Sequence, residues 1–156
     1  MFSQNPKLRY FVLFFVLYEL SIYLANDMIM PAMLLVAHEF QAAPQSLALS
    51  LGLYILGGSM LQILLGPLSE RLGKRRVLLA GNALFIVATA LIPLANSMPQ
   101  FLVGRFIQGM GSCFIFLGYA LVHELFDDTQ AVKLTTLISN IAILAPLAGP
   151  VIGSAV

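Results

Sequence analysis

Five long apolar stretches alternate along the chain with short polar connections. They cover residues of about 10–33, 46–68, 77–94, 101–121 and 131–156. An α-helix rises ~1.5 Å per residue and the hydrocarbon core of a bilayer is about 30 Å thick, so each stretch is close to the length of one crossing. The pattern predicts an all-α membrane protein with five transmembrane helices.

The composition agrees with this pattern. Hydrophobic residues make up 60% of the 156 residues, charged residues only 10%, and the mean hydropathy is +0.93. These values lie far from those of soluble globular domains. The net charge of +1 gives no reason to expect a nucleic-acid partner. The hydrophobic composition instead predicts that the protein lies in the lipid bilayer.

The first stretch carries two carboxylates, Glu19 and Asp27, in a segment that should be apolar throughout. A central acidic residue costs about 3 kcal/mol on insertion, so both should face protein or water rather than lipid. Positions four apart form one ridge of a helix, and this ridge contains Phe15, Glu19, Tyr23, Asp27 and Pro31, with Asn26 almost in line with Glu19. Ionisable groups within a membrane usually have a function, so we interpret this ridge as a functional face. The alternative interpretation is a structural ion pair.

Positive charges lie on one side of the predicted topology. That side carries Lys7, Arg9, Arg71, Lys74, Arg75, Arg76 and Lys133, whereas the two connections on the other side contain no Lys or Arg. Because cytoplasmic connections are enriched in these residues, the N-terminus is predicted to be cytoplasmic.

Arg105 is the exception, about four residues inside the fourth stretch. Asp27 lies near the same end of its own helix, so the two side chains should lie at comparable depth. We therefore expect an ion pair between Asp27 and Arg105. An ion pair that only holds two helices together is the competing interpretation.

The segment GPLSERLGKRR superficially suggests a phosphate-binding loop. Its spacing is wrong, because six residues separate Gly66 from Gly73 and Lys74 is followed by Arg75 rather than by Ser or Thr. No other segment has the pattern of a nucleotide site. Any work done by this protein is therefore expected to draw on an ion gradient, with no cofactor.

Catalytic and metal sites are not predicted either. Cys113 is alone, and neither His38 nor His123 has a partner at the spacing of metal ligands. Glu19 and Asp27 are about 12 Å apart along one helix, too far to share a proton as paired acids do. The sequence thus predicts a protein that is not an enzyme and that has no metal site.

The last stretch is unusual in its glycines and prolines. Pro146, Gly149, Pro150 and Gly153 fall within a few turns of each other. Proline removes a backbone hydrogen bond and kinks a helix, and glycine gives a flat packing face. A kinked helix suited to a sliding interface is predicted.

Taken together, these segments resemble a known family. GPLSERLGKRR resembles the loop motif of the major facilitator superfamily, and LVGRFIQGMG resembles its Arg-Gln-Gly motif. APLAGPVIG resembles the antiporter motif of drug/proton exporters, and YELSIYLANDMIMP is similar to the first helix of bacterial multidrug/proton antiporters. The four motifs occur in the family's order and cover nearly the whole chain.

The resemblance implies a transporter of twelve helices in two six-helix halves. Residues 1–156 are then an N-terminal transmembrane domain that is incomplete, with the C-terminal half absent although transport requires it. Glu19 and Asp27 are implied to be protonatable and to face the substrate. Tyr23 and Asn26 are implied to line the same pocket, and Arg105 to couple to protonation.

Two further groups of residues take roles from the resemblance. The gating loop at the cytoplasmic face is implied to comprise Gly66, Glu70, Arg71, Gly73, Lys74 and Arg75, and the antiporter kink Pro146, Gly149, Pro150 and Gly153. The family usually has Asp where this chain has Glu70, which keeps the charge on a longer side chain.

The expected function is the export of lipophilic, often cationic drugs across the bacterial inner (cytoplasmic) membrane in exchange for protons. Apolar surroundings disfavour a bare carboxylate, so either a proton or a cationic substrate can neutralise it. Two alternatives stay open: a truncated, non-transporting protein that interacts with other membrane helices, and the same fold exporting a metabolite, a sugar or a siderophore.

Overall fold

The computed structural model describes residues 6–43, 45–143 and 146, and within these ranges the chain is helical, with no β-strand. The expected all-α class is therefore confirmed. The helices in chain order are α1 (Pro6–Asp27), α2 (Ile29–Glu39), α3 (Gln45–Leu72), α4 (Lys74–Leu91), α5 (Met98–Ser112), α6 (Ile115–Leu125) and α7 (Asp128–Ala142), with a short 3₁₀ turn at Ile92–Leu94.

Four helical segments are long and apolar enough to cross a membrane. They are Leu8–Asp27, Gln45–Leu72, Lys74–Leu94 and Met98–Leu125. Of the fifth predicted span, 131–156, the structure describes α7 and Pro146, and the other positions beyond residue 143 lie outside the described residues. The chain is accordingly a multi-pass membrane protein.

The first predicted helix, 10–33, is divided in two. α1 ends at Asp27 and α2 begins at Ile29, although the amide of Met28 still donates to the carbonyl of Leu24 at 2.8 Å. Pro31 accounts for the interruption, because it has no N–H to donate to the carbonyl of Asp27, four residues earlier, and its ring crowds that carbonyl. The apolar pattern continues across the break and gives no sign of it.

The turn between α3 and α4 is shorter than the sequence predicts. The second apolar stretch was expected to end near residue 68, but α3 continues to Leu72 and α4 starts at Lys74. Gly73 alone reverses the chain with a φ of 85°, a conformation that residues with a Cβ rarely adopt. Its amide donates to the carbonyl of Ser69 at 3.0 Å, and its carbonyl accepts from Val77 at 3.2 Å.

The fourth predicted helix, 101–121, begins earlier and ends later, with an interruption at residues 113–114. Side-chain donors accompany the interruption: Ser112 Oγ bonds to the carbonyl of Gly109 at 2.8 Å, and Cys113 Sγ to that of Met110 at 3.0 Å. Such groups compete with the backbone for helix carbonyls. The next turn is tightened, with the amide of Phe116 donating to the carbonyl of Cys113.

The last described helix, α7, is amphipathic. Asp127 caps it, because its Oδ1 accepts from the amide of Gln130 at 2.8 Å. Ala131, Leu134 and Ile138 are buried along one face, with exposed fractions of 0%, 4% and 1%. α7 is in contact with α1.

The chain forms two compact units. The α1/α7 unit comprises Met1–Met30 and Gly118–Val156, and the α3–α5 unit comprises Pro31–Leu117. In the α3–α5 unit, glycines bring α5 close to its neighbours: a Cβ at Gly109 would overlap the backbone of Tyr54 on α3, and one at Gly111 would overlap the backbone of Phe85 on α4. Small residues at helix contacts are the usual route to tight packing in membranes.

Candidate functional site

Glu19 is the most deeply buried acid in the described part of the chain. It lies in the middle of α1 with an exposed fraction of 2%. The hydroxyl of Tyr119, on α6, donates to its Oε1 at 2.6 Å, whereas Oε2 is buried and has no hydrogen-bond partner among the described residues. One carboxylate oxygen is thus held by protein, and the other is buried without a partner in the described part of the chain.

Packing fixes the position of this pair. The ring of Phe15, 3% exposed, meets the ring of Tyr119 edge to face, with 5.1 Å between the centroids and 85° between the planes. Phe15 lies against Gly118, where a Cβ would overlap its ring. The Tyr119 hydroxyl also lies 3.3 Å from Ser139 Oγ on α7, so that α1, α6 and α7 meet at this hydroxyl.

The second acid, Asp27, closes α1 at the interruption caused by Pro31. Its Oδ2 is buried without a hydrogen-bond partner among the described residues, and its Oδ1 accepts a long bond of 3.5 Å from Asn26 Nδ2. Tyr23, one turn from each acid, is 40% exposed. Each of the two carboxylates therefore has one buried oxygen without a hydrogen-bond partner among the described residues.

A separate polar cluster surrounds Arg105 within the α3–α5 unit. Arg105 is 1% exposed, and its guanidinium carbon lies 4.5 Å from the ring centroid of Tyr54 on α3. Its Nη1 donates to Gln108 Oε1, Gln108 Nε2 donates to Thr89 Oγ1 on α4 at 2.8 Å, and Thr89 donates to the carbonyl of Phe85 at 2.7 Å. Through these contacts the arginine, which lies on α5, is connected to α3 and α4.

The predicted pair between Asp27 and Arg105 stays a prediction. Asp27 belongs to the α1/α7 unit, and Arg105 belongs to the α3–α5 unit.

The predicted gating residues lie at the end of α3 and the start of α4. Glu70, Arg71 and Arg75 are exposed, and Lys74 is partly buried. The two glycines of the motif differ, because only Gly73 has a positive φ, whereas a Cβ at the helical Gly66 would meet nothing within 4 Å. Their role in gating stays a prediction.

The predicted antiporter kink lies mostly outside the described residues. Pro146 is described and exposed, while Gly149, Pro150 and Gly153 are not among the described positions. The kink stays a prediction.

Sequence reasoning missed several polar residues that complete the two clusters: Tyr54, Thr89, Gln108, Tyr119 and Ser139. Gln108 was detectable, because it is three residues from Arg105 and so lies on the same helix face. The pairing of Tyr119 with Glu19 joins positions 100 residues apart, and no periodicity within one helix indicates it.

Among the described residues, no group of three or more His, Cys, Asp or Glu side chains is arranged to hold a metal ion. The polar or charged residues that are buried in this part of the chain are Glu19, Ser50, Ser69, Arg105 and Gln108. The fold and these clusters define a helical, multi-pass membrane protein with ionisable groups buried in its spans, the class that includes solute transporters.

The comparison with known sequences makes the assignment specific. The sequence profile of the Major Facilitator Superfamily matches residues 15–156, so the chain belongs to this superfamily. It is 49% identical over 146 residues to the multidrug transporter MdfA of Yersinia pestis and 47% identical over 146 residues to that of Escherichia coli O157:H7. It is also 44% identical over 155 residues to the multidrug resistance protein MdtM of Salmonella typhimurium.

The matches cover almost all of this chain but only part of each relative. They cover 93% of this chain for the two MdfA proteins and 99% for MdtM. The same matches cover only 36% and 38% of the relatives. The chain spans a little over a third of the length of these curated relatives.

Proposed function

We propose that this protein exports lipophilic, often cationic drugs across the bacterial inner membrane in exchange for protons, acting together with a C-terminal half. The observation that carries the proposal is Glu19, a carboxylate buried in the middle of an apolar helix, whose Oε2 has no hydrogen-bond partner among the described residues. The names of the relatives, multidrug transporter and multidrug resistance protein, support the substrate class.

The chemistry of the site supports exchange by competition. A carboxylate in apolar surroundings is stabilised by a proton or by a cation. Because the two compete for the same carboxylate, binding of a lipophilic cation excludes the proton, and the reverse. No cofactor is needed for such a cycle, because the proton gradient supplies the free energy. The partners of the protein are then drugs, protons and the bilayer.

Adaptable side chains near the acids support a broad range of substrates. Tyr23 is partly exposed beside the two carboxylates, and Met28 and Met30 follow at the interruption between α1 and α2. Thioethers and aromatic rings adjust to ligands of different shape, and rings also attract cations.

The proposal is tested by replacing Glu19 with Gln in the native gene product. Export of tetraphenylphosphonium, a cation, is expected to fall at least about tenfold, because losing one partner of a buried charge contact costs ~2 kcal/mol or more. Export of chloramphenicol, which is uncharged, is expected to change much less. Transport into everted membrane vesicles measures both.

Glu39→Gln is the matched control, because Glu39 is exposed at the end of α2 and lies in neither polar cluster. This variant is expected to export both substrates as well as the unmodified protein does. An equal loss of both substrates in Glu19→Gln contradicts the idea that Glu19 distinguishes substrate charge.

The need for a C-terminal half is tested by the size of the native gene product. An antibody against residues 39–45 is used to probe the source membranes on an immunoblot. A band at about twice the 16.9 kDa of this chain or above supports a transporter of two halves. A band at 16.9 kDa favours the non-transporting interaction protein instead.

A further inference from the structure

We propose that Tyr119 orients the Glu19 carboxylate and thereby sets the preference of the site for cationic over neutral substrates. This inference rests on the proposed function, since it assigns a role within the same site. Tyr119 acts through Glu19, so it is a positioning residue. Ser139 on α7 is its second partner.

The hydroxyl of Tyr119 has one hydrogen and two lone pairs. With the hydrogen donated to Glu19 Oε1 at 2.6 Å, the contact of 3.3 Å to Ser139 Oγ has Ser139 as the donor. The result is a directed chain from Ser139 through Tyr119 to Glu19. Bonds in such a chain polarise and strengthen one another in surroundings of low dielectric.

The position of the hydroxyl is set by packing and not by the acid. The Tyr119 ring is held edge to face against Phe15, and Phe15 in turn occupies the space that Gly118 leaves open. The Tyr119 hydroxyl therefore lies at a fixed point of the α1/α7 unit, and the Glu19 carboxylate orients towards it. A group that is already in place costs no reorganisation when a ligand arrives.

This arrangement decides which oxygen of Glu19 meets the ligand. Oε1 is occupied by Tyr119, and Oε2 is buried with no partner among the described residues. The ionised carboxylate attracts a cation at Oε2, whereas a neutral drug gains no such charge contact. Without the hydroxyl, Glu19 can rotate and holds a cation less well, while a neutral drug is unaffected.

The test is Tyr119→Phe in the native gene product, which keeps the ring against Phe15 and removes only the hydroxyl. The apparent KM for tetraphenylphosphonium is expected to rise on the order of tenfold, the value of a hydrogen bond to a charged group. The KM for chloramphenicol and the kcat for both drugs are expected to stay near wild type. An equal effect on both drugs, or none, overturns the inference.

Two further variants keep the test decisive. Tyr10→Phe removes a hydroxyl from an exposed tyrosine of α1 and is the matched control, expected to leave both KM values unchanged. Ser139→Ala removes only the second bond of the chain from an exposed position of α7 and is expected to raise the cation KM in the same direction, by less. If Tyr119→Phe fails to fold, an unchanged cation KM in Ser139→Ala overturns the inference.

Infrared spectroscopy separates this inference from the proposed function. The carboxylate band of Glu19 is assigned by its loss in Glu19→Gln, and it is expected to shift in Tyr119→Phe but not in Tyr10→Phe. A shifted band in a protein that transports neither drug supports the Tyr119 contact and contradicts the proposed function. An unshifted band overturns the inference even where Glu19→Gln abolishes cation transport.

Discussion

At the scale of single residues, the two polar clusters differ in how they satisfy their charged group. Glu19 is held at one oxygen only, by Tyr119. Arg105 instead lies over the ring of Tyr54 and is tied through Gln108 to Thr89. The first arrangement leaves one buried carboxylate oxygen without a hydrogen-bond partner in the described part of the chain, and the second anchors a cation among helices.

Thr89→Val is expected to weaken the Arg105 cluster. The variant keeps the shape of Thr89 but removes the oxygen that accepts from Gln108 Nε2, and a buried donor left unsatisfied costs about 1–3 kcal/mol. A lower melting temperature in detergent measures the loss. Thr136→Val is the control, because Thr136 is exposed and bonds only to a carbonyl of its own helix. Similar melting temperatures for the two variants contradict the role of Thr89.

The sequence indicates which residues are unusual in a membrane helix. It does not indicate as well which residues they contact. Glu19 and Arg105 stand out because a charge in an apolar helix is costly. Tyr119 and Thr89 do not stand out, because hydroxyls are tolerated in such helices and can bond locally. Their partners are set by packing between helices, which leaves no mark in the spacing of one segment.

At the scale of helices, the glycines differ in how closely a neighbouring helix approaches them. Gly109 lies against the backbone of Tyr54, whereas Gly52 has nothing within 4 Å of an added Cβ. The existence of the helices followed from apolar length, but these contacts did not. The breaks at Met28 and near Cys113 were also missed, because the apolar pattern continues across both, although Pro31 accounts for the first.

Gly109→Ala and Gly52→Ala are expected to have opposite effects on stability. Overpacking at Gly109 costs about 1–3 kcal/mol, because backbone rather than a mobile side chain must give way. At the exposed Gly52 the gain in helix propensity is roughly 0.5–1 kcal/mol. Thermal unfolding of both variants is the measurement. A loss of stability in Gly52→Ala as large as in Gly109→Ala contradicts this account.

The same comparison separates the two glycines of the predicted gating loop. Gly73→Ala is expected to cost about 1–2 kcal/mol, because its φ of 85° is strained for a residue with a Cβ. Gly66→Ala is expected to cost less, since Gly66 is helical and an added Cβ would meet nothing within 4 Å beyond its two chain neighbours, one of which is Pro67. If thermal unfolding shows equal losses, the turn does not depend on the conformation of Gly73.

At the scale of the whole molecule, the distribution of charge predicts the orientation of the chain. The exposed Arg71 and Arg75 flank the turn between α3 and α4, and the exposed Asn96 follows the other end of α4. Because Lys and Arg favour the cytoplasmic side, the turn at Gly73 is expected to be cytoplasmic and Asn96 to be external.

Cysteine labelling measures this orientation. In intact cells an impermeant maleimide is expected to label Asn96→Cys but not Arg75→Cys, and in everted vesicles the order is expected to reverse. The native Cys113 is buried and gives a low background. Labelling of Arg75→Cys in intact cells contradicts a cytoplasmic turn and with it the cytoplasmic N-terminus.

The turn at Gly73 has a mechanical consequence. A link of one residue spans only a few ångströms, since consecutive Cα atoms are ~3.8 Å apart. Its amide and its carbonyl are both engaged, by Ser69 in α3 and by Val77 in α4. The link therefore has no slack, and α3 cannot slide along its axis without pulling α4 with it.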